Sequence, residues 1–149
     1  MNSVLQVLSK NIEGNWLSHQ SIYYLQTKKI KINKFQKSIS RLSNQSLINY
    51  SYIYKYKNLS GKEIIYNYIA DSYPQSKFAK LQKIHSSYIE TYKLSLNNTN
   101  CIAIKYFRNE IKYIEYNYII NKNLRISVII IKKYDNYIAI SFNSEIKVK

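Results

Sequence analysis

From Leu47 to the end of the chain, apolar and polar residues alternate with the period of a strand. LINYSYIYKYKN places Tyr50, Tyr52, Tyr54 and Tyr56 on one face, and NLSGK, Asn58 to Lys62, supplies a turn. EIIYNYIAD reads as the next strand, closed by Asp71-Ser72-Tyr73-Pro74. Tyr92–Leu96 and Cys101–Phe107 flank Asn97-Asn98-Thr99-Asn100, a hairpin signature. Lys112–Ile120 alternates again, and Asn121–Val148 reads as two apolar strands turning at Asp135-Asn136.

The first third is more mixed. Val4, Leu5, Leu8 and Ile12 share a helical face, which Glu13-Gly14-Asn15 ends with turn chemistry. Trp16–Leu25 reads as a strand, whereas Ile32, Phe35, Ile39 and Leu42 fall at helical spacing and predict a short helix over Lys31–Leu42. Ser76–Ile89 is ambiguous, because Phe78, Leu81, His85 and Tyr88 are also spaced as on a helix. The sum is roughly seven or eight strands joined by short turns, with one or two short helices near the N-terminus. Such an order favours a mainly β, antiparallel up-and-down sheet, and closing it into a barrel removes its exposed edges. The length of 149 residues predicts a single domain, 1–149, with one core.

Composition changes this picture little. Ile, Lys, Asn and Tyr make up over half the chain, with 17 Tyr, 2 Gly and 1 Pro. All four have codons rich in A and T, so a genome of that bias accounts for much of the +15 net charge. The lysines are scattered, with pairs at Lys28-Lys29 and Lys132-Lys133, which describes a solvated basic surface better than a dedicated stripe. A basic barrel with stacked tyrosines is still a candidate nucleic-acid-binding module. No apolar run approaches the ~18 residues that a membrane helix needs. The start, MNSVLQVLSKNIEG, has neither the basic opening nor the long apolar core of a secretory signal.

Few residues offer chemistry. His19 and His85 lie far apart and in no ligand spacing, so no metal site is expected. Cys101 opens an apolar strand and reads as a small buried hydrophobe. The tyrosine ladder lines an aromatic pocket or simply supplies ordinary half-buried strand residues. Glu115 stands out as one of only eight acidic residues. It shares a strand face with Tyr113 and Asn117 in IKYIEYNYII. Facing inward, it needs a partner, and Arg125 on the next strand, followed on the same face by Ser127, is the natural one. Facing outward, the same pair is an exposed salt bridge.

Two segments resemble a known family, the S/U-type (CpcS/CpeS) phycobiliprotein chromophore lyases. The opening Glu13-Gly14-Asn15-Trp16-Leu17-Ser18-His19-Gln20-Ser21, followed by Tyr24-Leu25, is similar to the family's short helix and Gly-x-Trp-x-Ser-x-Arg-Thr strand. The closing run is similar to a Glu, an aromatic, Pro-Asn-Leu-Arg, a strand, a turn and Ser-Glu-Ile-basic. Here these positions read Glu115, Tyr118, Asn123-Leu124-Arg125 and Ser144-Glu145-Ile146-Lys147. The resemblance covers both ends well and the middle loosely.

The resemblance implies a lipocalin-like barrel that binds a free bilin, phycocyanobilin or phycoerythrobilin, and promotes its thioether attachment to a cysteine of an apo-phycobiliprotein subunit. It implies Glu115 as the acid that meets the pyrrole nitrogens, and a ligand site drawn from Trp16, Ser18, Gln20, Tyr50, Asn117, Tyr118, Asn123, Arg125 and Ser127. Trp16 serves equally as core, and Ser18 and Asn123 as supports at a turn or barrel end. The chain departs from the family pattern at Gln20 and Ser127, where arginines are usual; both changes remove bidentate carboxylate clamps. A plastid-encoded member fits the codon bias, and a homodimer or a heterodimer with a related lyase subunit is compatible with the resemblance. The other readings are the nucleic-acid module and a non-catalytic carrier of a bilin or other apolar ligand.

Overall fold

The computed structural model describes residues 4–42, 51–70 and 77–148. Helix α1 (Val4–Ser9) precedes ten strands: β1 (Gly14–Tyr24), β2 (Lys29–Arg41), β3 (Ser51–Asn58), β4 (Glu63–Ala70), β5 (Phe78–Ile84), β6 (Ile89–Leu96), β7 (Cys101–Arg108), β8 (Ile111–Asn121), β9 (Leu124–Lys133) and β10 (Asn136–Val148). Each strand pairs antiparallel with the next in sequence, and β10 returns to β1, so the sheet closes. The up-and-down barrel expected from the tight turns is therefore present, with ten strands in place of seven or eight.

The two additional strands are the segments whose spacing looked helical. β2 occupies the stretch expected as a short helix, Lys31–Leu42, and is strand throughout Lys29–Arg41. Ile32 is 65% exposed and Phe35 42%, so the four residues at helical spacing do not form a buried stripe. What decides the matter is pairing: eleven consecutive residues of β2 pair in register with β1, and the β-branched isoleucines of KIKI suit an extended chain. Likewise Phe78 to Tyr88 divides into β5, a turn and the approach to β6. Tyr50 and the Asp71-Ser72-Tyr73-Pro74 turn lie outside the described residues.

The helix packs at one end of the barrel against β3 to β6. Val4, Val7 and Ile12 are buried there with Trp16, Ile39, Tyr54, Leu94 and Ile102. Gly14 makes the turn from helix to β1 at a φ of 136°, a conformation that other residues rarely adopt. A Cβ at Gly14 would also approach the Lys147 side chain to 3.2 Å. At the other end, β2 outruns its neighbour. Its pairing with β3 covers only Lys37–Arg41, so among the described residues Lys29–Gln36 pairs with β1 alone.

Candidate functional site

Strand alternation sends every second side chain inward, and the register sets these residues in rows around the interior. One row runs Arg125, Glu145, Ser18 across β9, β10 and β1. Glu145 accepts a hydrogen bond from Ser18 Oγ at 2.7 Å. It also pairs with Lys37 Nζ at 2.5 Å and with Arg125 Nη2 at 3.2 Å. Burial alone would raise its carboxyl pKa; Lys37 and Arg125 outweigh that and hold it below the ordinary carboxylate range. Burial lowers the Lys37 ammonium despite Glu145. The Arg125 guanidinium lies 4.2 Å from the Trp16 ring centre, and its Nε is buried without a hydrogen-bond partner. Trp16 is itself fixed, because its Nε1–H donates to the Ile12 carbonyl at 2.9 Å and ties β1 to the helical end.

A cavity of about 170 Å³ opens beside this cluster, lined by Trp16, Ser18, Lys37, Tyr56, Tyr66, Tyr68, Lys83, Glu115, Asn117, Arg125, Ser127 and Glu145 among others. Its tyrosine wall is ordered by contact. The Tyr56 and Tyr66 rings stack at 3.8 Å, and the Tyr56 and Tyr68 hydroxyls are 3.2 Å apart. Lys83 Nζ stands 5.2 Å from the Tyr66 ring and 5.0 Å from the Tyr92 ring. Glu115 faces the same space. Burial raises its carboxyl above the ordinary range, and Lys83 and a hydrogen bond with Asn117 only partly offset this. The interior thus holds two carboxylates of opposite character: Glu145 is clamped by cations, whereas Glu115 is only loosely compensated.

No family model matches the sequence. Over 139 residues the chain is 32% identical to a chromophore lyase CpcS/CpeS homolog of Gracilaria tenuistipitata var. liui, covering 91% of each. The chain belongs to the CpcS/CpeS chromophore lyase family. The S-type phycobiliprotein lyase CPES of Guillardia theta superposes with a TM-score of 0.68 over 99% of this chain and 93% of its own, at 11% identity. A protein of unknown function from the DUF3598 family of Nostoc punctiforme gives 0.60 over 93% of this chain and 48% of its own, also at 11% identity. At such identities the two structures speak for the fold alone, and they agree with a lipocalin-like barrel.

Within this CpcS/CpeS barrel the expected residues scatter unevenly. Trp16, Ser18, Glu115, Asn117, Tyr118, Arg125 and Ser127 all border the cavity. Trp16 is buried as core at the same time. Gln20 lies one inward step beyond Ser18, bonded to Ser141 and Asn33. Asn123 is exposed in the β8–β9 turn, where its backbone N–H donates to Asn121 Oδ1. The expected Glu115–Arg125 pair does not form. Arg125 sits opposite Ile119 on β8, while Glu115 sits opposite Ile129, two inward steps away. Directly across on β10, Arg125 meets Glu145 instead.

Sequence reasoning missed Lys37, Lys83 and Glu145 as site residues. The two lysines lie in β2 and β5, the segments whose spacing looked helical, so their inward phase was hidden. Glu145 was legible as part of the Ser-Glu-Ile motif, but its role needed the register.

Cys101 is buried and has its thiol pKa raised by burial. It alternates with Ile102, which lines the cavity, and sits opposite Tyr118. Among the described residues no group of three His, Cys, Asp or Glu side chains is placed to hold a metal ion.

Proposed function

We propose that this chain takes up a free bilin in its barrel and promotes thioether attachment of that pigment to a cysteine of an apo-phycobiliprotein subunit. The observation that carries the reading is Glu115: a half-buried carboxyl, raised in pKa, facing a tyrosine-walled cavity that also presents Lys37, Lys83 and Arg125. A bilin is flat and apolar, with two propionates and a row of pyrrole nitrogens. Stacked tyrosines suit its π-system, cations its propionates and an acid its nitrogens. A carboxyl held above its ordinary range keeps its proton nearer to neutrality and can deliver it to a pyrrole nitrogen. Protonation makes the ring-A side chain more electrophilic. The acceptor's sulfur then bonds to that side chain, the carbon–carbon double bond takes up a proton, and nothing leaves. The barrel's part is orientation and exclusion of competing nucleophiles.

The cavity is smaller than the roughly 300–1,000 Å³ usual for small-molecule pockets. In this reading the tetrapyrrole enters with one end, and the Tyr56–Tyr66 stack yields or the remainder projects from the mouth. Phycocyanobilin and phycoerythrobilin are the pigments proposed, in the plastid stroma of an alga that bears phycobilisomes. Self-association, or pairing with a related lyase subunit, is compatible with this scheme.

Titration of the purified chain with each free bilin is expected to sharpen and red-shift the pigment's absorption band. Glu115→Gln should remove most of that shift and slow transfer to apoprotein by roughly a hundredfold, read as covalent fluorescence on a denaturing gel. An unchanged spectrum across several bilins overturns the reading. Normal transfer by the variant removes Glu115 from the acid role.

A further inference from the structure

One interior row carries no charge at all. Asn117 pairs with Ser127, Ser127 with Asn143, Asn143 with Gln20 and Gln20 with Asn33, so five amide or hydroxyl side chains lie in register across β8, β9, β10, β1 and β2. The row directly toward the helical end holds Arg125, Glu145 and Ser18. Inward positions along a strand are separated by about 6.7 Å, so the neutral row stands one such step from the guanidinium. The two positions at which this chain departs from the family's arginines, Gln20 and Ser127, both fall in it.

The row is organised, and it is unfinished. Asn33 Nδ2 donates to Gln20 Oε1 at 3.1 Å and Gln20 Nε2 to Ser141 Oγ at 3.4 Å. Ser141 Oγ in turn donates to Asn143 Oδ1 at 3.1 Å. This chain fixes the Asn143 carboxamide with its oxygen engaged and its Nδ2 donors unspent. Asn143 and Ser127 both line the cavity, and Ser127 is largely buried. Polar groups enclosed in this way are normally paired, and here the space before them is the cavity.

We propose that Asn143 and Ser127, held by the Asn33–Gln20–Ser141 chain, form a subsite for a terminal lactam of the ligand. The inference rests on the bilin reading above and deepens it. A lactam offers a carbonyl acceptor beside an N–H donor. The Asn143 Nδ2 group supplies the matching donor, and the Ser127 hydroxyl serves as acceptor or donor as required. A carboxylate would find no cation in this row, whereas Arg125 and Lys37 lie in and beside the adjoining one. A bilin has lactams at its ends and propionates on its middle rings, so the two rows sort the two kinds of group. An arginine at position 127 would erase that distinction.

The test is a spectral titration of the full chain with a bilin and with the same bilin O-methylated at both terminal lactams. The methylated pigment has lost the lactam N–H and carbonyl. Wild-type protein is expected to bind the native pigment about tenfold more tightly than the methylated one. Asn143→Leu combined with Ser127→Ala should lose about tenfold for the native pigment and discriminate little between the two. Asn143→Asp keeps the acceptor that Ser141 needs but exchanges the Nδ2 donors for a second carboxylate oxygen and adds a charge, so its readout is the loss of discrimination between the two pigments rather than affinity alone. It should reproduce the loss, and it carries the test if the double variant fails to fold. Equal binding of both pigments by wild type, or undiminished discrimination in the variants, overturns the subsite while leaving the bilin reading in place. A wild type that responds to neither pigment overturns the bilin reading, and this inference with it.

Discussion

Two glutamates show how the same side chain acquires opposite properties inside one barrel. Glu145 is held below the ordinary carboxylate range because Lys37 and Arg125 outweigh its burial. Its stabilising contribution is therefore present at neutral pH and is lost as pH falls through that lowered value. Glu145→Gln leaves two half-buried cations, Lys37 and Arg125, without their shared carboxylate. It should cost about 3 kcal/mol, measured as a drop in urea midpoint at pH 7 that narrows in acid. Glu115 has the reverse sign. Its raised pKa means that the empty barrel is least burdened below the ordinary range, and that stability declines as pH rises through the raised value. Glu115→Gln should thus raise the melting temperature of the unliganded protein near neutrality by roughly 2–4 °C and flatten its pH dependence, by scanning calorimetry. Glu115 was legible in the sequence as a scarce acid in an apolar strand. Its relation to Arg125 was not, since a partner across strands depends on a register that alternation leaves open.

At the level of elements, strands bounded by clear turns were readable and strands without them were not. NLSGK and NNTN announce their hairpins, and the chain does turn there: Asn58 N–H donates to the Lys62 carbonyl, and Asn97 N–H to the Cys101 carbonyl. β2 and β5 lacked such definition, and chance spacing of Ile, Phe and Leu imitated a helix. That error also hid Lys37 and Lys83, whose inward direction exists only on a strand. β2 carries a further consequence. Its first eight residues, Lys29–Gln36, have one edge unpaired among the described residues, with Ile30 and Ile32 strongly exposed. Lys29, Lys31 and Lys34 punctuate this edge, as charges do on strands that must not recruit another chain. Replacing all three with threonine should promote self-association, seen as a concentration-dependent rise in mass by light scattering. A strictly monodisperse variant of unchanged mass would remove that protective role.

On the scale of the whole molecule, the +15 charge and the interior follow separate logics. Most lysines lie on the outside, where salt screens them. The cavity cluster instead pairs Lys37 and Arg125 with Glu145 and sets Lys83 near Glu115, within a partly enclosed volume. Bilin capture should accordingly weaken by less than about threefold between 0.05 and 0.5 M salt, followed by absorbance. A barrel that instead bound nucleic acid through its exterior would lose several orders of magnitude over a comparable range.

Closure of the sheet also decides the fate of the lone thiol. Because β7 turns Ile102 toward the cavity, Cys101 faces away from it, buried and with its thiolate disfavoured. On the proposed reading, a pigment held in the cavity would face a wall whose thiol lies behind it. In that scheme the buried thiol is kept from trapping the pigment as a dead-end adduct, which would leave the chain uncoloured and ready for another round.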